Sequence, residues 1–278
     1  MINNLLYYIM KKIKVRTRRK TNTRRKTNTR RINYKRWIKS GGTNTTTDTP
    51  IFLYENSNPL IEQLGKLSNQ HKKFIRLVLS KESIFPLEET IIDSMRDKLN
   101  NFVDTNLCKL SFPTTNLFCE GNQSIEREKM PQLIGIPIEG KLAFKLLRNN
   151  DGQVDGSNAF EAALTDNKTN VVHNVHVYSD VLKSTQNELE LNKVKGIFGT
   201  IQENTMLAPA PIYISRDGYV LDGHHRWAAF NYKAIITNKP QLMAVNVINM
   251  DMDKLFTFTN EFLFDFGIQP KSLVAEQQ

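Results

Sequence analysis

Five consecutive residues, Asp222-Gly223-His224-His225-Arg226, place a carboxylate, a glycine, two imidazoles and a guanidinium side by side. Those types suit phosphoryl chemistry. A guanidinium can fork two phosphate oxygens in a charge-assisted pair, and imidazole N–H groups add donors. A glycine lets the backbone approach an anion closely. A carboxylate beside the phosphates can hold magnesium or accept a hydroxyl proton. Asp222 and His225 are therefore the catalytic candidates, and Gly223, His224, His225 and Arg226 the candidate phosphate ligands. The same five residues also fit a plainer role, as a helix cap, a turn glycine and solvated polar groups.

Such a site needs a strand to deliver it and a helix to begin on it, because the first N–H groups of a helix lack intrahelical partners and its dipole favours an anion. The sequence supplies both. Pro211–Ser215 reads as a strand, Arg216-Asp217-Gly218 as a hairpin turn and Tyr219–Leu221 as the returning strand. A helix is expected from Gly223 to about Lys233. Upstream, Gln132–Ile138 and Val171–Tyr178 read as strands, Asn158–Leu164 as a short helix, and Thr185–Phe198 as a helix with Leu189, Val194 and Ile197 on its apolar face. Thr185 and Gln186 would then stand at a helix start, either touching ribose or phosphate or simply capping. Leu242–Ile248 and Leu255–Phe264 supply a last strand and helix, with Gly267 as a stop signal. Apolar residues at helical spacing between 51 and 107 suggest a helical module.

Other chemistry-bearing residues read as structural. His173 and His176 lie three apart on a strand and so face opposite ways, which argues against a metal site. Trp227 is expected to pack behind the loop, and Asn260 and Phe266 to be structural, the latter just past the final helix. Cys108 and Cys119 are too few for a disulfide framework and lack metal-type spacing, so they are expected to be reduced thiols.

Charge is divided unevenly. Of the 38 Lys and Arg, 15 lie in residues 1–40, which hold no acid, so the rest of the 278-residue chain carries 23 basic against 28 acidic side chains, a net of −5. Arg18-Arg19-Lys20-Thr21-Asn22-Thr23 is repeated as Arg24-Arg25-Lys26-Thr27-Asn28-Thr29 and begins again at Arg30-Arg31. Such a segment has no apolar surface to bury and should be disordered in isolation. Its charge should hold DNA or RNA without reading sequence. Residues 1–49 are thus a basic tail and linker, 50–107 the helical module and 108–278 an α+β domain. The apolar run at 1–10 is too short to cross a bilayer, and its cations follow it rather than precede it as in a secretory signal. No membrane partner is expected, and the location is intracellular: cytoplasm, nucleus or virion. A mitochondrial-type presequence is compatible with the same composition.

The stretch Pro211–Arg226 resembles the "pI.v..dG..vvdGHHR" signature of the ParB/sulfiredoxin superfamily. Val177–Gln186 is similar to the superfamily's earlier strand leading to an "L-x-x-T-Q" segment. Arg127-Glu128-Lys129-Met130-Pro131-Gln132 is similar to the "R-x-x-M-P-Q" segment of phage-type members. The resemblance implies a small mixed sheet with helices on it, and a site that takes ATP, ADP or CTP with Mg²⁺. It implies several trades. ParB proteins carry G-E-R-R and a following helix-turn-helix, neither of which is found here. Sulfiredoxins need a cysteine where this chain has His224. Free-serine kinases of the same fold carry D-G-H-H-R, as here, and use an Asp and a Glu in phosphoryl transfer. Asp222 matches the former, and Glu126, Glu128 and Glu139 are candidates for the latter by order alone. The resulting expectation is a nucleotide-binding protein, either a phosphotransferase or NTPase. Its alternatives are a DNA-binding or packaging protein that uses the tail, and a scaffold without catalysis.

Overall fold

Two faces of one four-stranded sheet organise the chain. In the computed structural model, which describes residues 67–113, 116–202 and 209–270, the elements run in this order: α1 Asn69–Leu79, α2 Glu89–Asn100, β1 Ile134–Pro137, β2 Val154–Asp155, α3 Ser157–Asp166, β3 Val171–Tyr178, α4 Leu191–Gln202, β4 Ile212–Ser215, β5 Val220–Asp222, α5 His224–Thr237, β6 Leu242–Ile248, α6 Met252–Phe266 and β7 Ile268–Gln269. The basic tail, the linker and the first part of the expected helical module lie outside the described residues. The class is mixed α+β.

The larger sheet has the order β3-β6-β4-β5, with β4 parallel to β6 and the other pairs antiparallel. Alternation along the strands divides the core. Ile212, Ile214, Val220, Val245 and Val247 face one hydrophobic cluster, shared with Trp227, Ala228 and Ile235 of α5 and with Phe74, Ile92 and Met95 of α1 and α2. Tyr213 and Leu221 face a second cluster, built on Phe160 of α3 and Leu255 and Leu263 of α6. All four residues of β4 are buried, as a central strand covered on both faces requires. The smaller sheet, β2-β1-β7, is antiparallel and lies at the rim of the second cluster, where Val154 and Ile268 enter it.

Several elements differ from the sequence expectation. No helix begins at Thr185. Residues 182–190 instead pair with neighbouring chain: Lys183 with Tyr219, Gln186 with Ile125, and Glu190 with Asn106. Tertiary pairing wins because Ser184 and Gln186 turn their side chains onto local carbonyls, competing with a helix. The helix starts only at Leu191. Conversely, α5 runs past Lys233 to Thr237, carried by buried Ala234 and Ile235, and ends on Asn238 in the left-handed region. Asn238 anchors that end by exchanging side-chain hydrogen bonds with both backbone groups of Leu87, at 2.9 Å each. Phe266 is the last residue of α6, not a residue beyond it, and Gly267 follows with φ 90°. Cys108 and Cys119 are joined in a disulfide, which corrects the expectation of free thiols. Among the described residues, no helix is long and apolar enough to cross a membrane.

Trp227 is fully buried, and its indole N–H donates to the Ser179 carbonyl at 2.7 Å, tying α5 to the end of β3. Trp227→Phe keeps most of the packing but removes that donor, leaving the carbonyl only the Leu182 N–H at 3.3 Å. It should lower unfolding free energy by about 0.5–1.5 kcal/mol, the net worth of one intramolecular hydrogen bond. Urea denaturation checks this, and an unchanged midpoint would show the bond contributes nothing.

Candidate functional site

Strand β5 ends in Asp222, and the chain turns through Gly223 directly into α5. Gly223 has φ 93°, a region that L side chains rarely adopt, and a Cβ there would overlap Cγ2 of Ile212. The close approach that demands glycine is thus to the neighbouring strand. The amides of Arg226 and Trp227 both donate to the Gly223 carbonyl, at 2.9 and 3.0 Å. That leaves the amides of His224 and His225 as the ones leading the helix, where an anion is favoured.

The two histidines are turned toward the 185–190 segment. Nε2 of His224 accepts from the Thr185 N–H at 3.2 Å, and Nε2 of His225 accepts from the Glu190 N–H at 3.2 Å. An imidazole that accepts at Nε2 is neutral and protonated at Nδ1. Burial, with the neighbouring charge of His225, lowers the His224 pKa to about 3. Burial, with the cations Arg127 and Lys193, lowers that of His225 to about 4. The expected picture of two histidines both aimed at phosphate is therefore modified: each ring uses one nitrogen to fix the loop, and neither brings positive charge at neutral pH. Thr185 is fully buried, and its hydroxyl donates to the Val220 carbonyl at 2.5 Å. It stands behind the site rather than at a helix start, and it does not line the cavity described next.

Beside the turn opens a cavity of about 310 Å³ lined by Arg127, Met130, Pro131, Gln132, Ile134, Gln153, Gln186, Ile197, Leu221 and all five residues from Asp222 to Arg226. Arg127, Met130, Pro131 and Gln132, from the segment singled out in the sequence only as a second point of resemblance, line the same space as the turn. Two guanidiniums, three primary amides and one carboxyl group thus converge on one space, with Met130, Ile134, Ile197 and Leu221 as an apolar side. Arg226 is held by a hydrogen bond from Nη1 to the Ala210 carbonyl. Arg127 pairs with Glu190 at 3.4 Å, and Glu190 pairs with Lys193 at 2.9 Å. These cations, Lys193 foremost, hold the Glu190 carboxyl below its ordinary range. Burial pushes the Asp222 carboxyl up, opposed by Arg226 and by the Gly223 N–H.

Glu126, Glu128 and Glu139, the candidates for a second catalytic carboxylate, do not line the cavity, and Glu126 is paired with Lys129 at 2.9 Å. Glu190, which the sequence did not point to, is the acid tied to the site through Arg127. His173 lies elsewhere, 3.6 Å from Glu161. Among the described residues, no group of three or more His, Cys, Asp or Glu is placed to hold a metal ion. A magnesium ion here would rest on Asp222 together with the ligand's own phosphates, an arrangement usual for that ion.

The depressed histidine pKa values fix a sign for pH dependence. A folded pKa below the unfolded value of about 6.5 means the unfolded chain binds protons first. The stability contributed by neutral His224 and His225 is therefore complete above about pH 6.5 and drains away as pH falls toward 4 and then 3. Imidazole ¹⁵N shifts should show both rings as Nδ1–H tautomers, staying neutral down to at least about pH 5. A ring titrating near its ordinary value would show that it does not accept the loop amide. No family model, curated protein or solved structure matches the chain.

Proposed function

We propose that the chain is a nucleotide-binding protein whose cavity between Arg127–Gln132 and Asp222–Arg226 takes the phosphates of ATP, ADP or CTP. One observation carries the reading: two segments almost a hundred residues apart, each similar in sequence to the same superfamily, line a single cavity and contribute one guanidinium each. The volume is at the small end for ligand pockets, which run from about 300 Å³, and it suits a phosphate chain with part of its nucleoside left toward solvent. The apolar side formed by Met130, Ile134 and Ile197 offers a surface for a base or sugar. A mixed sheet followed by a glycine turn and a helix is the arrangement expected of a ParB/sulfiredoxin-like domain, and it supports that assignment as a reading. A phosphotransferase or NTPase activity would rest on Asp222, since Nε2 of His225 is already engaged with Glu190. In a catalytic step Asp222 would hold magnesium or take the proton of an attacking hydroxyl.

Calorimetric titration with ATP, ADP and CTP, with and without magnesium, tests this. Arg226→Ala and Arg127→Ala should each weaken binding by about 1.5–3 kcal/mol, as expected for loss of a hydrogen bond to a charged group. Asp222→Asn should leave binding in place and abolish any turnover. Nucleotide affinity untouched by both arginine variants would place the ligand elsewhere.

A second reading concerns nucleic acid, and what favours it is the 15 cations and no acid in residues 1–40. The tail, with Arg18, Arg19, Lys20, Arg24, Arg25, Lys26, Arg30 and Arg31 in its repeats, would hold DNA or RNA non-specifically in an intracellular setting. The remainder, at net −5, would repel it at long range. Binding by the full chain should fall steeply with salt, by about 0.9 log units per phosphate neutralised for each tenfold rise. Deleting residues 1–40 should flatten that slope and weaken binding to every sequence alike, while leaving nucleotide binding intact. A truncated protein that binds duplex DNA with the same slope would move recognition into the α+β domain.

A further inference from the structure

The loop that fixes both histidines is itself held from the outside by a disulfide-closed strap. Cys108 lies in a single turn at Leu107–Lys109, and Cys119 follows the fully buried Phe118, with their Cα atoms 5.1 Å apart. Two residues before Cys108, the side chain of Asn106 clamps the loop. Its Oδ1 accepts from the amides of Leu189 and Cys108, both at 3.0 Å, and its Nδ2 donates to the Asn187 carbonyl at 3.2 Å. Backbone bonds flank the clamp, from Leu107 N–H to Leu189 at 2.8 Å and from Leu191 N–H to Thr105 at 2.7 Å. The next residue, Glu190, is the one that donates to His225 and pairs with Arg127 in the cavity wall. A short, continuous set of hydrogen bonds therefore joins the disulfide to the phosphate cavity.

We propose that the Cys108–Cys119 disulfide is a redox-sensitive lock on this cavity. Reduction removes the covalent tie between Cys108 and Cys119, leaving the Leu107–Lys109 turn held to its neighbour by the Asn116 side chain's hydrogen bonds to the Leu107 and Cys108 carbonyls. This loosens the hold of Asn106 on residues 187–190 and lowers affinity for the phosphate ligand. The inference rests on the nucleotide-binding reading of the site. The reductant is a thiol. Its thiolate attacks Sγ of Cys108, the more exposed of the pair, to form a mixed disulfide and expel the Cys119 thiolate. A second reductant thiol then cleaves the mixed disulfide. Two electrons and two protons pass to the protein, which ends with two thiols, and the reductant ends as its disulfide. The strap's apolar anchors, Leu107 and Phe118, stay buried in the core, so the change is local rather than an unfolding.

The test uses the full chain, oxidised and after treatment with dithiothreitol, and the Cys108→Ser/Cys119→Ser double variant. Hydrogen exchange is read at Leu189, Glu190 and Leu191 and at Val245 and Val247 of β6, and ATP with magnesium is titrated in parallel. Reduction should speed exchange at 189–191 by about tenfold and weaken ATP binding by a similar factor, leaving β6 unchanged. The double variant should behave as the reduced protein and ignore dithiothreitol. The lock is overturned if residues 189–191 exchange alike in both states, or if β6 loosens with them, which would make the bridge a staple of the whole fold. ATP binding equal in both states also overturns it while sparing the nucleotide reading. ATP binding in neither state removes both. Two free thiols in protein purified without reductant would show that the lock never closes.

Discussion

A neutral imidazole can accept a backbone N–H only while it is kept from protonating, and the arrangement around the glycine turn depends on two such acceptances. His224 receives Thr185 and His225 receives Glu190, so one helix start fixes both ends of a six-residue segment that has no helix or sheet of its own. Burial supplies the protection, by making the charged rings expensive. The same segment presents Gln186 to the cavity and carries Glu190, which orients Arg127. A charged ring would lose its acceptor, and a charged His225 would bring a like charge near Arg127 and Lys193. Among the described residues that line the cavity the positive groups are thus Arg127 and Arg226, and the histidines set its shape.

Much of this was legible in the sequence where local pattern and tertiary demand coincide. The β-rich runs Val171–Tyr178 and Leu242–Ile248 match both strands to the residue, and the two pair with each other apart from a register shift between Val172 and Val175. The turn from Asp222 through Gly223 into a helix was visible because only a glycine meets a positive φ beside Ile212. What was misread is the start of the helix expected over Thr185–Phe198. Leu189, Val194 and Ile197 fall at helical spacing, yet the backbone of 182–190 bonds to residues 106–107, 123–125 and 218–220, partners far away in the chain. Periodicity reports burial, and Leu189 is indeed buried, but it does not say which backbone groups are claimed elsewhere.

The site shows the same division. Asp222, Gly223 and Arg226 were found from residue type and now lie on the cavity with Gln186. Thr185 was singled out for a helix start that does not exist, and it serves the core instead. The segment Arg127 to Gln132 stands out in the sequence only for its resemblance, and its residue types by themselves do not mark a site. Its arginine and glutamine are ordinary surface types, and the pairing of residues 123–125 with the 185–187 loop on one side and the small sheet on the other bring them to the cavity. The disulfide likewise follows from long-range folding, since two cysteines eleven residues apart are compatible with either redox state.

The central claim is that residues 127–132 and 222–226 form one phosphate-binding cavity whose shape the histidines maintain. The most direct measurement is a ¹H–¹⁵N titration of the assigned protein with ADP and magnesium. The account predicts that amides of both segments shift together along one binding isotherm, with Gln186 moving alongside and the Glu161–His173 region unaffected. Shifts confined to one segment, or to the basic tail, would contradict it.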